Sequence, residues 1–442
     1  MQVLMLITLC LASVCEAIDL YWKPASLAKF VPEVMSLLIA LCVLFEGVRK
    51  SFGNMGTKYL VAFGCLAFVV VCGILTNSVG SGPIFAGLRI YVRAIPLFFV
   101  PAIFNFSEQQ VKTQLKLMLG IGLLQVPIAS YQRYIIWAAG RFSGDDVRGT
   151  AADSGILSII LICMALVLLG AYMRKQLPAA RFFPLFFLLL MPTMINETKA
   201  TVILLPIGLM TTIVAGSPRG QRMKVFATGL VLLGVFGAIL VPVYDYMAAK
   251  NPYKNEQHLM DFFTNQKEME KYMNAKGNAG IGATHAVRRG DQIRVPLEYL
   301  SKDPVKLAFG LGIGNASHSN LGEQFTGDYY DLFQFFAVLT FSTVMLELGL
   351  LGLGLLFLIY AMLFFDSIAV ARQDKGLLGT LSAGFIGVMP AIGAATLYTS
   401  IHTFTMLSFL FWYFAGMVAA RRTELEKQHS LEVATAMRSR WA

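Results

Sequence analysis

The residues that could do chemistry gather in one stretch, 288–320 (RRGDQIRVPLEYLSKDPVKLAFGLGIGNASHSN), within the only long polar segment of an otherwise apolar chain. Arg288, Arg289 and Arg294 supply guanidinium groups, with Asp291 and Glu298 a helical turn to either side of Arg294. Guanidinium forks match phosphate oxygens and stay charged at any working pH, so two adjacent arginines with a third a turn away suit a diphosphate. The same spacings put Asp291, Arg294 and Glu298 on one helix face, and an exposed salt-bridged surface is the competing explanation. Downstream, Asp303-Pro304 and Gly310-x-Gly312-x-Gly314-Asn315 make a turn in which backbone can approach a ligand or another helix closely. No strand–helix unit surrounds it, so it is not a dinucleotide fingerprint. His318 follows at once, and histidine is the side chain best suited to proton transfer near neutral pH. His258 and His285 share the segment but have less company.

Other ionisable groups stand elsewhere. Arg89 and Arg93, four residues apart in an apolar run, share one helix face, and such groups inside a span usually meet a cavity or a partner; snorkelling to the interface is the plainer alternative. Arg141, Asp145, Asp146 and Arg148-Gly149-Thr150 form one polar turn, and Asn196-Glu197-Thr198-Lys199 another. The cysteines (Cys10, Cys15, Cys42, Cys65, Cys72 and Cys163) all lie in or beside early apolar runs, which argues against a disulfide framework or a zinc cluster in the polar segment.

The elements that position these groups are membrane helices. With 56% hydrophobic and only 14% charged residues, the chain has the composition of a polytopic membrane protein. Apolar runs of about 17–25 residues fit helices crossing hydrocarbon, and no alternating ten-residue pattern suggests an outer-membrane barrel. The fold class expected is all-α, with about twelve transmembrane helices near 2–18, 30–48, 59–77, 84–106, 114–138, 153–172, 182–195, 200–216, 225–248, 334–365, 377–398 and 400–420. The first run lacks a basic start and a small-residue cleavage site, and reads as a retained helix. Residues 1–248 then hold spans one to nine, 249–333 a large extracytoplasmic loop, 334–420 the last three spans and 421–442 a basic tail. Lys and Arg cluster in every second connection (Arg49/Lys50/Lys58, Lys112/Lys116, Arg174/Lys175/Arg181, Arg219/Arg222/Lys224, Arg372/Lys375, Arg421/Arg422), which places both termini in the cytoplasm and the polar segment outside. The same clustering explains the net charge of +10 as orientation in the membrane, not nucleic-acid binding. The apolar residues of the polar segment, among them Leu259, Phe262, Phe263, Tyr272, Val295, Leu297, Leu300 and Phe309, could bury a small core against the helices.

An arginine-bearing helix, Asp-Pro, Gly-x-Gly-x-Gly-Asn, a histidine, and then Glu-x-Gly-Leu-Leu-Gly (Glu347, Gly349, Gly352) opening a span together resemble the O-antigen ligase and Wzy-type polymerase superfamily. Arg148-Gly149-Thr150 and the Asn196–Lys199 turn are similar to further motifs of that family. The resemblance implies a C-type glycosyltransferase of the bacterial plasma membrane, taking glycan from an undecaprenyl-diphosphate carrier on the outer face, with inversion and without metal or cofactor. It implies that Arg288 or Arg289 with Arg294 holds the diphosphate, that Arg148, Arg93, Arg89 and Lys199 support it, and that Gly312, Gly314 and Asn315 border the substrate. His318 would activate the acceptor hydroxyl. The chain departs from the family in having Ile293 and Val295 where an aromatic is common, Lys199 in place of Arg, and a long gap between His318 and Gly349; Asp328 or Asp331 is therefore the alternative base. The implied partners are the lipid-linked glycan, membrane lipid, and a chain-length regulator and flippase of the same pathway. Polymerase and O-antigen ligase differ only in the acceptor. The rival from another class is a lipid-linked glycan transporter, in which charge runs along the bundle interior.

Overall fold

The structure, a computed structural model, describes residues 1–50, 55–136, 144–217, 220, 222–249, 259–265 and 287–441. Among these the regular elements are all helical. The first part comprises α1 (Gln2–Tyr21), α2 (Val31–Arg49), α3 (Thr57–Asn77), α4 (Ser81–Val92), α5 (Ile95–Phe104), α6 (Glu108–Tyr131), α7 (Ser154–Met173), α8 (Ala179–Ile195), α9 (Thr201–Gly216) and α10 (Arg222–Ala249). Short helices follow in the polar segment: α11 (Leu259–Thr264), α12 (Arg289–Leu300), α13 (Pro304–Phe309) and α14 (Tyr330–Phe333). Three long helices close the chain: α15 (Thr340–Gln373), α16 (Leu377–Ala395) and α17 (Thr405–Trp441).

Among the described residues, seven helices (α1, α2, α3, α7, α10, α15 and α16) are long and apolar enough to cross a membrane, or eight if α4 and α5, bent by 44°, form one span. The twelve expected runs fall largely on helices, yet several differ from plain spans. The run 84–106 breaks at Arg93–Ala94 ahead of Pro96, since proline has no N–H to continue the ladder. Helices α8 and α9 have 17 and 16 residues, and α6 carries Lys112, Gln114, Lys116 and Gln125. The last helix starts at Thr405 and not near 400, because Thr340 Oγ1 holds the preceding turn by accepting from the Ile401 amide at 2.7 Å.

Side-chain placement fits an apolar solvent around the bundle. Phe45, Leu75 and Phe365 expose two thirds or more of their surface, which water would penalise and lipid does not. Helices α7 and α16 lie at the centre, 78% and 72% buried along their apolar windows. They approach so closely that a Cβ added at Gly170 would sit 2.5 Å from the Gly384 nitrogen; small residues let helix backbones meet where hydrophobicity cannot drive them together.

The bundle has two chemically different ends. At one, Asp366 accepts from Lys58 and, at 2.7 Å, from the Tyr59 hydroxyl, while Asp374 pairs with Arg421 at 2.7 Å and Arg174 reaches the Ala371 and Asp374 carbonyls. The other end gathers the ionisable groups singled out above. Here a second core forms from Val295, Leu300, Leu311, Ile313, Phe333, Phe336 and Leu346, joining α12 to the start of α15; Phe309 is partly buried against it and Leu297 is exposed. Most of 249–286, with Tyr272, His258 and His285, lies outside the described residues, as does Arg141.

Candidate functional site

The glycine run is built into the bundle by its backbone. Gly310, Gly312 and Gly314 all have positive φ (74°, 92° and 74°), a region open to glycine and costly for other residues. The chain threads between α3, α4 and α15: a Cβ on Gly314 would lie 2.0 Å from the Pro83 carbonyl oxygen. Leu311 and Gly312 donate to the Leu346 and Glu347 carbonyls at 2.7 and 3.0 Å, as a strand would. Helix α15 breaks at Gly349 (φ 67°) to let them in. The close approach is therefore to neighbouring helices. Asn315, 1% exposed, spends its side chain on the Leu311 carbonyl and the Asp328 amide, both at 3.0 Å, and serves as a pin for the loop.

Helix α4 meets this run with one face and a charge cluster with the other. Arg89 and Arg93 both donate to Glu33 at the start of α2, through contacts of 2.9 Å (Arg89 Nη2) and 3.0 Å (Arg93 Nη1) on the same oxygen, Oε1. Arg93 also donates to the Thr403 carbonyl. Its side chain is 8% exposed, so it neither snorkels nor faces lipid. Between the arginines, Tyr91 turns toward Glu347, which is fully buried and accepts from the Ala316 amide at 3.3 Å. The Tyr91 ring lies 4.9 Å from that of His402. Glu16 of α1 accepts from the Thr405 amide at 2.9 Å and sits in the field of Arg93 and Asp153.

The two polar turns converge on the same floor. Arg148 donates to the Ala152 carbonyl at 3.0 Å, and its own amide and that of Gly149 (φ 60°) are held by Gln132 Oε1 at 3.0 and 2.7 Å. The Lys199 turn is tied to the start of α7 by Asn196, which donates to the Ser154 carbonyl at 3.0 Å. Lys199 itself is half-buried and partnered. Glu197 is buried, paired with Arg133 at 3.0 Å, and held at φ 55°, a backbone strain of the kind that collects at working sites. Arg289 extends over the Tyr398 ring at 5.5 Å, and Tyr398 packs on Gly155 beside Asp153. Arg93, Arg148 and Arg289, 196 positions apart at the extremes (289 − 93), thus surround Glu16, Ala152, Asp153 and Tyr398.

The remaining predicted residues lie apart. Arg294 is exposed and bonded to Asp291 at 3.0 Å and Glu298 at 2.9 Å, the salt-bridged surface that its spacing also allowed; those hydrogen bonds push its pKa up. Arg288 is exposed at the start of α12. His318 is exposed with its ring 5.2 Å from that of Tyr330, and Asp328 and Asp331 are exposed nearby. Glu16, Glu33, Glu347, Arg133 and His402 were not singled out as site residues from sequence. Ionisable groups in or beside apolar runs are the signal that marks them.

Beneath the charge cluster lies a cavity of about 420 Å³ between α3, α4, α15 and α17. Its walls are apolar (Leu66, Val70, Ile95, Val344, Leu356 and others), with Tyr91 and His402 among the few polar lining groups.

Compared with known proteins, the chain matches no family model and no curated protein.

Proposed function

We propose that this protein is a membrane glycosyltransferase that takes an oligosaccharide from an undecaprenyl-diphosphate carrier on the outer face of the bacterial plasma membrane. The observation that carries this reading is the gathering of Arg93, Arg148 and Arg289 at one end of the bundle, above a cavity with apolar walls and a polar rim. An amphiphile with an anionic head and an isoprenoid tail matches both features. Arg148 and Arg289, both half-exposed, would contact the diphosphate. Arg93, buried against Glu33, would add to the field, with Arg89 and Lys199 behind it. Positive charge placed where the leaving group becomes negative is the main source of catalysis in such a transfer.

In this reading the bundle crosses the membrane twelve times, using α6, α8, α9 and α17 as well as the longer apolar helices. The end bearing Lys58, Arg174 and Arg421 is cytoplasmic, with both termini, and the arginine end faces outward. Polymerisation of lipid-linked repeats into O-antigen or exopolysaccharide is the preferred reaction, with a chain-length regulator and a flippase as pathway partners. Ligation to lipid A core or protein is the alternative within the same chemistry. The buried Arg93–Glu33 pair also gives a transport reading some support, since glycan flippases carry charge inside the bundle.

Liposomes separate these readings. Protein reconstituted with donor lipid should yield glycans of increased size when donor is the only sugar source. Translocation of intact donor with no change in size would favour the transporter.

A further inference from the structure

His402 occupies a turn, Ile401–Thr403, that joins α16 to α17 and lies outside the candidate spans. Its ring lines the 420 Å³ cavity, and its Nδ1 is 3.3 Å from Thr340 Oγ1. The Thr340 hydroxyl accepts from the Ile401 N–H at 2.7 Å and lies 3.1 Å from the Thr399 carbonyl. In the arrangement where it gives its single proton to that carbonyl, Nδ1 carries the ring proton and Nε2 the lone pair. A base whose tautomer is set by a third group is the arrangement that activates hydroxyl nucleophiles.

We infer that His402 Nε2, and not His318, is the proton acceptor for the attacking hydroxyl, an assignment that rests on the glycosyltransferase reading. In the step, the acceptor oxygen forms a bond to the anomeric carbon while the carbon–oxygen bond to diphosphate breaks. The bonding pair leaves with undecaprenyl diphosphate, and the hydroxyl proton passes to Nε2. Three groups fix the ring for this: Thr340 sets its proton, Tyr91 lies 4.9 Å away across its face, and Arg93 holds the Thr403 carbonyl. Burial and the neighbouring Arg93 push its pKa down to about 3, so the ring is neutral near pH 7. A diphosphate that takes up the positive charge nearby relieves part of that repulsion and makes Nε2 a stronger base as the donor arrives. His318 is exposed, with its ring 5.2 Å from that of Tyr330.

The test uses full-length protein in nanodiscs with undecaprenyl-diphosphate oligosaccharide. His402→Ala should lower kcat about 10²- to 10⁴-fold while the KM for donor stays within about threefold of the starting value. Added imidazole should restore at least about tenfold of the lost rate, since it fits the space vacated by the ring. Thr340→Val keeps the ring but frees its tautomer, and should cost about tenfold even where His402→Ala folds poorly. Transfer by His402→Ala at the full rate, or a loss that imidazole does not relieve together with an unaffected Thr340→Val, overturns the assignment. No transfer by the unaltered protein overturns the glycosyltransferase reading itself, and the assignment with it.

Discussion

Arg93 and Glu33 form a 3.0 Å ion pair in which neither side chain is more than 13% exposed, and Arg89 donates to the same carboxylate. One acid thus holds two arginines and fixes α2 against the bend between α4 and α5. Removing one member of such a pair leaves a buried charge, at a cost of about 3–5 kcal/mol. Glu33→Gln should therefore lower the thermal midpoint of the purified protein by several degrees, measured by tryptophan fluorescence in detergent. An unchanged midpoint would mean that the pair adds nothing to stability.

The two arginines of α12 should behave differently. Arg289→Ala is expected to reduce glycan transfer about 10²-fold or more, as loss of a transition-state contact does. Arg294, 49% exposed and bonded to Asp291 and Glu298, makes surface pairs that water and salt screen. Its replacement by alanine should change the rate by no more than about threefold. Equal losses at both positions, measured on matched amounts of protein, would return Arg294 to the site.

Two glycines with positive φ separate backbone strain from crowding. At Gly322 (φ 124°) an added Cβ meets nothing within 4 Å, whereas at Gly314 (φ 74°) it meets the Pro83 oxygen at 2.0 Å. Gly322→Ala should cost about 1–3 kcal/mol from strain alone. Gly314→Ala should cost more and loosen the loop from α4, which limited proteolysis after Lys302 or Lys306 would detect. Equal proteolysis rates for the two variants would show that the run is not packed as described.

At the far end, Asp366 is 5% exposed and joins Lys58 and Tyr59 of α3 to α15. Asp366→Ala should reduce stability by about 3 kcal/mol, read as a lower thermal midpoint. The rate per folded molecule should stay the same, since no candidate site residue lies at that end. A selective loss of rate without loss of stability would couple the two ends.

Much of this was legible in the sequence. Apolar runs marked the helices, and at one end of the bundle Lys58 and Arg421, from two of the basic connections, meet acidic side chains while Arg174 reaches backbone carbonyls. Arg93 stood out by its place with Arg89 inside an apolar run, Arg289 by the arginine cluster of the polar segment, and Arg148 by a polar turn that also carries the resemblance. Two things were hidden. Spacing along α12 could not say whether Arg294 faces ligand or Glu298, because both readings use the same helix face. The glycine run is equally suited to a ligand and to a helix, and only the contacts with Pro83 and Glu347 decide between them. Glu33 and His402 stood beside apolar runs, where a single polar residue looks like a weak point in a span; their partners lie 56 or more positions away.

The central claim is that this chain breaks a sugar–diphosphate bond. The most direct measurement supplies purified protein in nanodiscs with undecaprenyl-diphosphate oligosaccharide as the only sugar source, and follows free undecaprenyl diphosphate by mass spectrometry. The account predicts its release, with longer lipid-linked glycans in step, and loss of both in Arg289→Ala. Donor that stays intact with every acceptor supplied would contradict it.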